Sequence, residues 1–339
     1  MEAYLQYIES YLPVNKLTNE QISLEHPEWD VNKISEKTGI LSRNIASENE
    51  TSLDLGYNAA KKLIDKYSLA DKIDYILFCT QTPDYFLPTS ACILQNKLGL
   101  KQNIGALDFN LGCSGYIYGL GLAKGLIYSQ QAKNVLLITG ETYSKLIHKD
   151  DKSNKTIFGD AGTATLITSY EILGALNAQM GLSNYATDGS GEDFLIVKNG
   201  GFRNTSNEEN LVLDENNQFY RNDNFLFMNG KEIFNFTASK VPQLLLENLK
   251  SNNENLEDID LFIFHQANSF MLNFIRNKCK IPSEKFFIDI KEIGNTVSNT
   301  IPLAIEKAIE LNTFKNKNKI LLCGFGVGLS MGAVTLYIK

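Results

Sequence analysis

The strongest constraint on the fold is that the chain carries one order of strands and helices twice. Residues 74–79 form a short apolar, β-prone run, followed by loop chemistry over 80–88 and a helical stretch over 90–98. A strand over 104–109, a helix over 114–129 and a strand over 134–139, closed by Gly140, complete a βαβαβ order. The same order returns as a strand over 260–265, a helix over 270–278, a strand over 285–289, a helix opening at Gly294 and Asn295, and a strand over 319–323 closed by Gly324. The spacings agree: Asp74 to Cys113 is 39 positions against 35 from Asp260 to Asn295, and Cys113 to Gly140 is 27 against 29 from Asn295 to Gly324. Two copies and not a series point to an internal duplication, not a solenoid.

The expected architecture is α/β in two halves, 1–170 and 171–339, with right-handed crossovers, a largely parallel buried sheet in each half and buried central helices. In open α/β sheets, sites gather beyond the carboxyl ends of strands. Cys113, His265 and Asn295 all fall at a strand end or at the helix start after it, and Cys113 and Asn295 hold equivalent places in the two halves. A pseudo-twofold arrangement brings the three together.

Bulk properties narrow the function classes. The 339 residues suffice for two domains or one duplicated fold. A net charge of −7 argues against broad attraction to nucleic acid or anionic lipid. The first eleven residues carry Glu2 and Glu9 and no long apolar run, so neither a secretory signal nor a membrane anchor is expected, and the expected location is the cytoplasm. The five cysteines (79, 92, 113, 279 and 323) include no C-x-x-C pair, which fits neither a disulfide framework nor a zinc site and leaves free thiols.

The residues themselves carry a chemistry. Cys113 precedes a helix that is apolar on nearly every side, with Gly115, Gly119 and Gly121 interspersed. A thiol at a helix start faces the positive end of the dipole, which favours the thiolate a nucleophile needs, although a packing cysteine would occupy the same place. Of three histidines, His26 and His148 lie in polar stretches expected to be exposed, whereas His265 ends an apolar strand. Asn295 alone reads equally as a cap or turn residue. The Gly324-Phe-Gly-Val-Gly328 run lacks the following helix of a dinucleotide site, because 331–338 reads as a strand; its glycines are better placed to bring backbone N–H groups near a reacting oxygen.

These motifs resemble the β-ketoacyl-acyl-carrier-protein synthase III group of the thiolase-like condensing enzymes. The resemblance runs over nearly the whole chain through Asn110-Leu-Gly-Cys113-Ser-Gly115, Ile157-Phe-Gly-Asp-Ala-Gly162, Asp188-Gly-Ser-Gly191, His265-Gln-Ala-Asn268, Gly294-Asn-Thr296 and Gly324-Phe-Gly-Val-Gly-Leu-Ser-Met-Gly332, in the family's order. It implies a layered α-β-α-β-α fold and a two-step reaction. Cys113 would take an acyl group from a coenzyme A or carrier-protein thioester, with backbone N–H groups of Cys113 and Val327 holding the oxyanion. A malonyl-carrier-protein thioester would then lose CO2 while His265, through an Nε2–H, and Asn295 hold the enolate oxygen. No metal and no redox cofactor is implied.

The resemblance also implies binding residues and partners. Phe158, Gly230 and Phe325 fall at substrate-binding places, and Trp29, Lys37 and Lys152 stand nearest the family's coenzyme A contacts. Lysine lacks the planar guanidinium fork, so nucleotide binding is expected to be weaker or replaced by a carrier-protein donor. The family is a dimer in which a loop of one subunit closes the acyl pocket of the other; here that loop carries Leu87 where a bulky aromatic is usual. The docking arginine expected five residues after the histidine is Phe270, leaving Arg276, Lys278 and Lys280 as the basic patch for an acidic carrier protein. Three rivals stay open: an acyltransferase of the same fold using an oxygen or nitrogen nucleophile, a silent carrier-docking subunit, and a papain-like protease that the duplicated pattern does not suit.

Overall fold

A computed structural model of the chain describes residues 2–205, 212–214 and 219–338. Ten strands form its main sheet: β1 (Tyr4–Tyr11), β2 (Tyr75–Cys79), β3 (Gly105–Phe109), β4 (Asn134–Glu141), β5 (Ala161–Thr168), β6 (Ala178–Thr187), β7 (Leu261–Phe264), β8 (Phe286–Phe287), β9 (Lys319–Gly326) and β10 (Ser330–Ile338). Six helices cover or fill it: α1 (Ser52–Tyr67), α2 (Ser90–Lys97), α3 (Gly115–Tyr128), α4 (Gly230–Ser251), α5 (Ser269–Lys278) and α6 (Thr300–Glu310).

The spatial order is β8-β7-β9-β10-β6-β1-β5-β4-β2-β3, two runs of five strands that meet where β1 pairs with β6 through Tyr4–Gln179 and Leu5–Ala178. Each run has the same directions. β2 pairs parallel with β3 and β4, as β7 does with β8 and β9, while β4–β5, β5–β1, β9–β10 and β10–β6 are antiparallel. The expected largely parallel sheet is thus parallel in only four of its nine ladders. The cause is visible at β9, where three residues separate it from β10; so short a turn can only return the chain antiparallel. The duplication reaches single hydrogen bonds. Asp74 Oδ2 accepts the backbone N–H groups of Lys133 and Asn134, and Asp260 Oδ2 those of Asn318 and Lys319, so one carboxylate clamps the start of the third strand in each half.

Three apolar clusters define the layers. Leu63 and Ile64 of α1 and Ala91 and Leu94 of α2 pack on Ile76, Phe78, Leu136 and Ile138. On the far side, Val241, Leu244 and Leu245 of α4 and Leu272 and Ile275 of α5 pack on Phe262, Phe264 and Leu321. Between the two strand runs lie α3 and α6, whose Tyr116, Leu120, Ile301 and Ile305 are fully buried among Leu77, Leu137, Ile263 and Leu322. Alternate residues of one strand therefore serve the outer and the inner layer. Pro302 is accommodated because it lies in the first turn of α6, where its missing N–H costs no intrahelical bond. Among the described residues no helix is long and apolar enough to cross a membrane.

Because Leu120 is fully buried in α3, which packs on β2 of one half and β9 of the other, Leu120→Ala is expected to cost about 2–5 kcal/mol of stability. A lowered urea midpoint, followed by circular dichroism, is the measurement; an unchanged midpoint would contradict a shared core.

Candidate active site

Cys113 lies immediately before Ser114, the N-cap of α3, and is buried. The strand that faces it is β9 of the other half, and only glycine permits the approach. A Cβ on Gly326 would stand 2.8 Å from Cys113 Cβ and 3.0 Å from its Sγ, and one on Gly324 would stand 2.9 Å from the Cys113 carbonyl oxygen. A hydrogen bond of 2.7 Å between the Ser114 and Ser330 hydroxyls ties the same turn to β10.

His265 follows β7 directly, and its backbone N–H donates to Cys323 O at 2.8 Å, so the residue is still held by the sheet. Its ring stands edge-on to Phe325, with centroids 5.4 Å apart. Nδ1 lies 2.7 Å from Thr300 Oγ1, and that hydroxyl lies 3.0 Å from Val297 O. A carbonyl only accepts, so the arrangement that makes both bonds runs from Nδ1–H to the hydroxyl and from the hydroxyl to the carbonyl. Nε2 then presents a lone pair, a base, where the sequence led us to expect an N–H.

Asn295 does not open a helix as expected. It forms an isolated parallel bridge with Phe158 and is followed by a 3-10 turn (Val297–Asn299) that leads into α6. Its Oδ1 accepts the Val297 N–H at 2.9 Å, which fixes the amide flip and leaves Nδ2 as the available donor. Val297 makes this bond from φ +58°, a left-handed conformation that a β-branched residue adopts only under strain.

Cys113, His265 and Asn295 line one cavity of about 700 Å³ together with Lys37, Lys152, Phe158, Gly230, Phe325 and Gly326. Its electrostatics are those of a dry site. Burial pushes the Cys113 thiol up to about 12, with the nearby Glu141 adding to the effect, and this outweighs the helix dipole expected to lower it. Burial also pushes the His265 imidazole down to about 3, so the ring is neutral at pH 7. Glu141, at the end of β4, is driven up to about 8 by burial despite bonds from the Gln81 N–H and the Thr82 and Ser298 hydroxyls.

Other predicted residues separate from this group. Trp29 does not line the cavity: it is buried and stacked on His26, with centroids 3.8 Å apart, so the ring is spent on packing. His26 and His148 are half-buried and not exposed. Leu87 is 81% exposed and borders a second cavity. Val327 follows the strand end, its side chain against Gly112. Arg276 bonds Asn273 and Ile281 O, while Lys278 and Lys280 are exposed, at the end of α5 away from the Phe270 and Met271 that line the cavity. The sequence reading missed Thr300, Lys231 at the cavity mouth, and Glu141. Only Glu141 had a local signal, as an acid closing an otherwise apolar strand.

Comparison with known proteins agrees with this geometry. The family description 3-oxoacyl-acyl-carrier-protein synthase III matches residues 107–189, and its C-terminal counterpart matches residues 249–338. The β-ketoacyl-acyl-carrier-protein synthase III of Clostridium perfringens is 37% identical over 327 residues, 96% of each chain. The chain belongs to this family. The Fusobacterium nucleatum member is 33% identical over 332 residues, covering 96% of this chain and 95% of its own. Among solved structures, a 3-oxoacyl-acyl-carrier-protein synthase III superposes over 100% of both chains with TM-score 0.95 and 43% identity. The 3-oxoacyl-acyl-carrier-protein synthase of Burkholderia xenovorans does so over 100% of this chain and 95% of its own, with TM-score 0.90 and 35% identity. The layered thiolase-like fold is that of the family.

A thiol held this high is a weak free nucleophile, and its thiolate fraction grows about tenfold per pH unit below its pKa. Alkylation of Cys113 by iodoacetamide, followed by peptide mass spectrometry, is therefore expected to keep rising from pH 7 to 10. A plateau near neutrality would show that the dipole wins over burial.

Proposed function

We propose that the chain joins an acyl thioester to a malonyl-carrier-protein thioester by decarboxylative Claisen condensation, with Cys113 as the nucleophile and His265 and Asn295 beside it. The observation that carries this reading is one buried cavity that holds a sulfur, a neutral imidazole and a free carboxamide N–H2. In the first step the sulfur attacks the acyl carbonyl as its proton passes to His265 Nε2. The carbon–sulfur bond of the donor breaks, and the departing thiolate takes that proton. Backbone N–H groups of Cys113 and Val327 are the donors assigned to the developing oxyanion; the close approach of Gly326 to the sulfur supports that assignment.

In the second step the malonyl carboxylate leaves as CO2, and its bonding electrons pass into an enolate whose oxygen accepts from Asn295 Nδ2. His265 joins this contact when Nε2 carries a proton. The enolate carbon attacks the acyl carbonyl, the bond to Cys113 breaks with the sulfur leaving as a thiolate, one proton taken up from solvent restores the resting thiol, and a β-ketoacyl thioester departs. These steps call for no metal or redox group. The substrates' phosphopantetheine arm is expected to enter between Ile34, Phe234, Phe270 and Met271, with Lys37, Lys152 and Lys231 at the mouth for phosphate. Arg276 and Lys278 in the last turn of α5 and Lys280 just past it form a basic surface at the end of the helix remote from the cavity, which suits an acidic carrier protein.

A homodimer suits the sheet's free end. Among the described residues β3 pairs only with β2, so one of its edges is open, and Leu107 on it is 42% exposed; Tyr85, Phe86 and Leu87 are exposed as well. Pairing with a second copy would cover an edge that otherwise invites aggregation.

Two experiments test these readings. Given an acyl thioester and malonyl-carrier protein, the protein is expected to release CO2 through an acyl adduct lost in Cys113→Ala. His265→Ala and Asn295→Ala should each slow CO2 release by about 10²–10³-fold. Adduct without CO2 would point to acyl transfer to another nucleophile, and no adduct with any donor to a silent subunit. Sedimentation should give a dimer that Leu107→Asp weakens; a monomeric wild type would remove the edge from consideration.

A further inference from the structure

Glu141 closes β4 in the first half, is fully buried, and has no part in the steps above. Its carboxyl accepts from neutral donors: the Gln81 N–H at 3.2 Å, the Thr82 hydroxyl at 3.3 Å and the Ser298 hydroxyl at 3.1 Å. The first two belong to the loop after β2. Ser298 belongs to the other half, 157 positions further along, in the 3-10 turn between Asn295 and α6. A carboxyl is costly to bury, and an apolar side chain would fill the same place at less cost.

β4 grips the same turn a second time. Two residues before Glu141, on the same face of the strand, Thr139 Oγ1 donates to Asn299 Oδ1 at 2.5 Å, and Asn299 Nδ2 donates to Thr296 O at 3.1 Å. Two side chains of one strand thus hold two successive residues of the turn. Next to them is the left-handed Val297, whose N–H meets Asn295 Oδ1 and whose carbonyl receives the Thr300 hydroxyl beside His265 Nδ1. A strained residue keeps such a conformation only where its surroundings over-determine it. Glu141 does not line the cavity, so its route to the enolate runs through this turn.

We propose that Glu141 is a positioning residue for the step that releases CO2: through Ser298 it holds the turn that aims the Asn295 amide and, by way of Thr300, the His265 ring. This rests on the reading of Asn295 and His265 as the pair beside the enolate oxygen. Without the carboxyl, Val297 relaxes toward an ordinary backbone conformation, and that rotation turns its N–H away from Asn295 Oδ1. The amide is then free to turn, and the donor for the enolate is no longer set before the charge forms. Formation of the acyl adduct makes no use of Asn295 and suffers less.

The test compares wild type, Glu141→Gln, Glu141→Leu and Ser298→Ala, each also with Asn295→Ala, in the full chain. Two rates are read: adduct formation on Cys113 from acetyl- to octanoyl-coenzyme A, by intact mass, and CO2 release from malonyl-carrier protein by the loaded protein. Ser298→Ala removes one oxygen only and answers the question even where Glu141→Leu does not fold. Ser298→Ala and Glu141→Leu are each expected to slow CO2 release about tenfold or more and adduct formation less than about threefold. Glu141→Gln, whose amide oxygen still accepts the Ser298 hydroxyl, should stay within about threefold of wild type in both rates. With Asn295→Ala present, Ser298→Ala should cost less than about threefold further, because the group it aims is gone. Equal losses in the two rates, additive losses beside Asn295→Ala, a Glu141→Gln loss as large as that of Glu141→Leu, or wild-type CO2 release by Ser298→Ala overturns the positioning role and leaves Asn295 in place. CO2 release by Asn295→Ala at the wild-type rate, or no adduct on Cys113 with any donor, overturns the reading of the site and the positioning role with it.

Discussion

Everything in the site depends on how closely β9 lies on the turn that carries Cys113. Gly324 and Gly326 are the two positions at which a side chain would strike that turn, through the Cys113 carbonyl oxygen and the sulfur itself. Among the described residues the two strand runs pair only at β1 and β6, through two residue pairs. The halves are held further by polar contacts such as the Phe158–Asn295 bridge and by a middle layer of apolar helix, α3 and α6, and each of these helices begins where a site residue, Cys113 or Thr300, must stand. Burial of Leu120 and Ile305 among strands of both halves thus does two jobs. It stabilises the duplication and fixes the distance across which a thioester is handled.

The depth that fixes this geometry also sets the protonation states. Desolvation raises the Cys113 thiol and lowers the His265 imidazole, so the resting pair is neutral. A standing thiolate–imidazolium pair would need a cavity more polar than this one. The proton instead moves as the sulfur attacks, and Thr300 gives that motion a direction by occupying Nδ1 and leaving Nε2 toward the cavity. Val297 serves both sides: its N–H orients the Asn295 amide and its carbonyl receives the Thr300 hydroxyl. The left-handed backbone at this β-branched residue places strain where two polar side chains are aimed by the backbone of one residue.

The doubled strand–helix order was legible because a strand ending in a turn recurs at matched spacing, and the same signature singled out Cys113, His265 and Asn295, which line one cavity; the layering came with the family resemblance. The sequence also led us to expect a largely parallel sheet, since periodicity reports a strand but not the direction of its neighbour; β5 and β10 run antiparallel beside their partners. Trp29 could be placed near the coenzyme A contacts by position, but not oriented, and its ring is stacked on His26. The helix dipole at Cys113 was legible while the burial that overrides it was not, because desolvation depends on β9, more than two hundred residues further along. Thr300 and Ser298 were invisible for the same reason: each matters through one tertiary contact that no spacing encodes.

The distribution of charge along the cavity follows from the same burial and bears on the proposed chemistry. Lys37 and Lys231 are exposed and Lys152 is half-buried, so the lining cations stand at the mouth, where phosphate would sit in water. The inner end is made of Cys113, Phe158, His265, Asn295 and Phe325, with no cation among these residues and with an imidazole that burial keeps neutral. A malonyl carboxylate brought to that end leaves its hydration for an environment that cannot replace it, whereas CO2 is neutral and loses little there. Meanwhile the charge that forms on the enolate oxygen meets a carboxamide already aimed by Val297. The cavity therefore favours moving negative charge from a carboxylate it does not solvate to an oxygen it does.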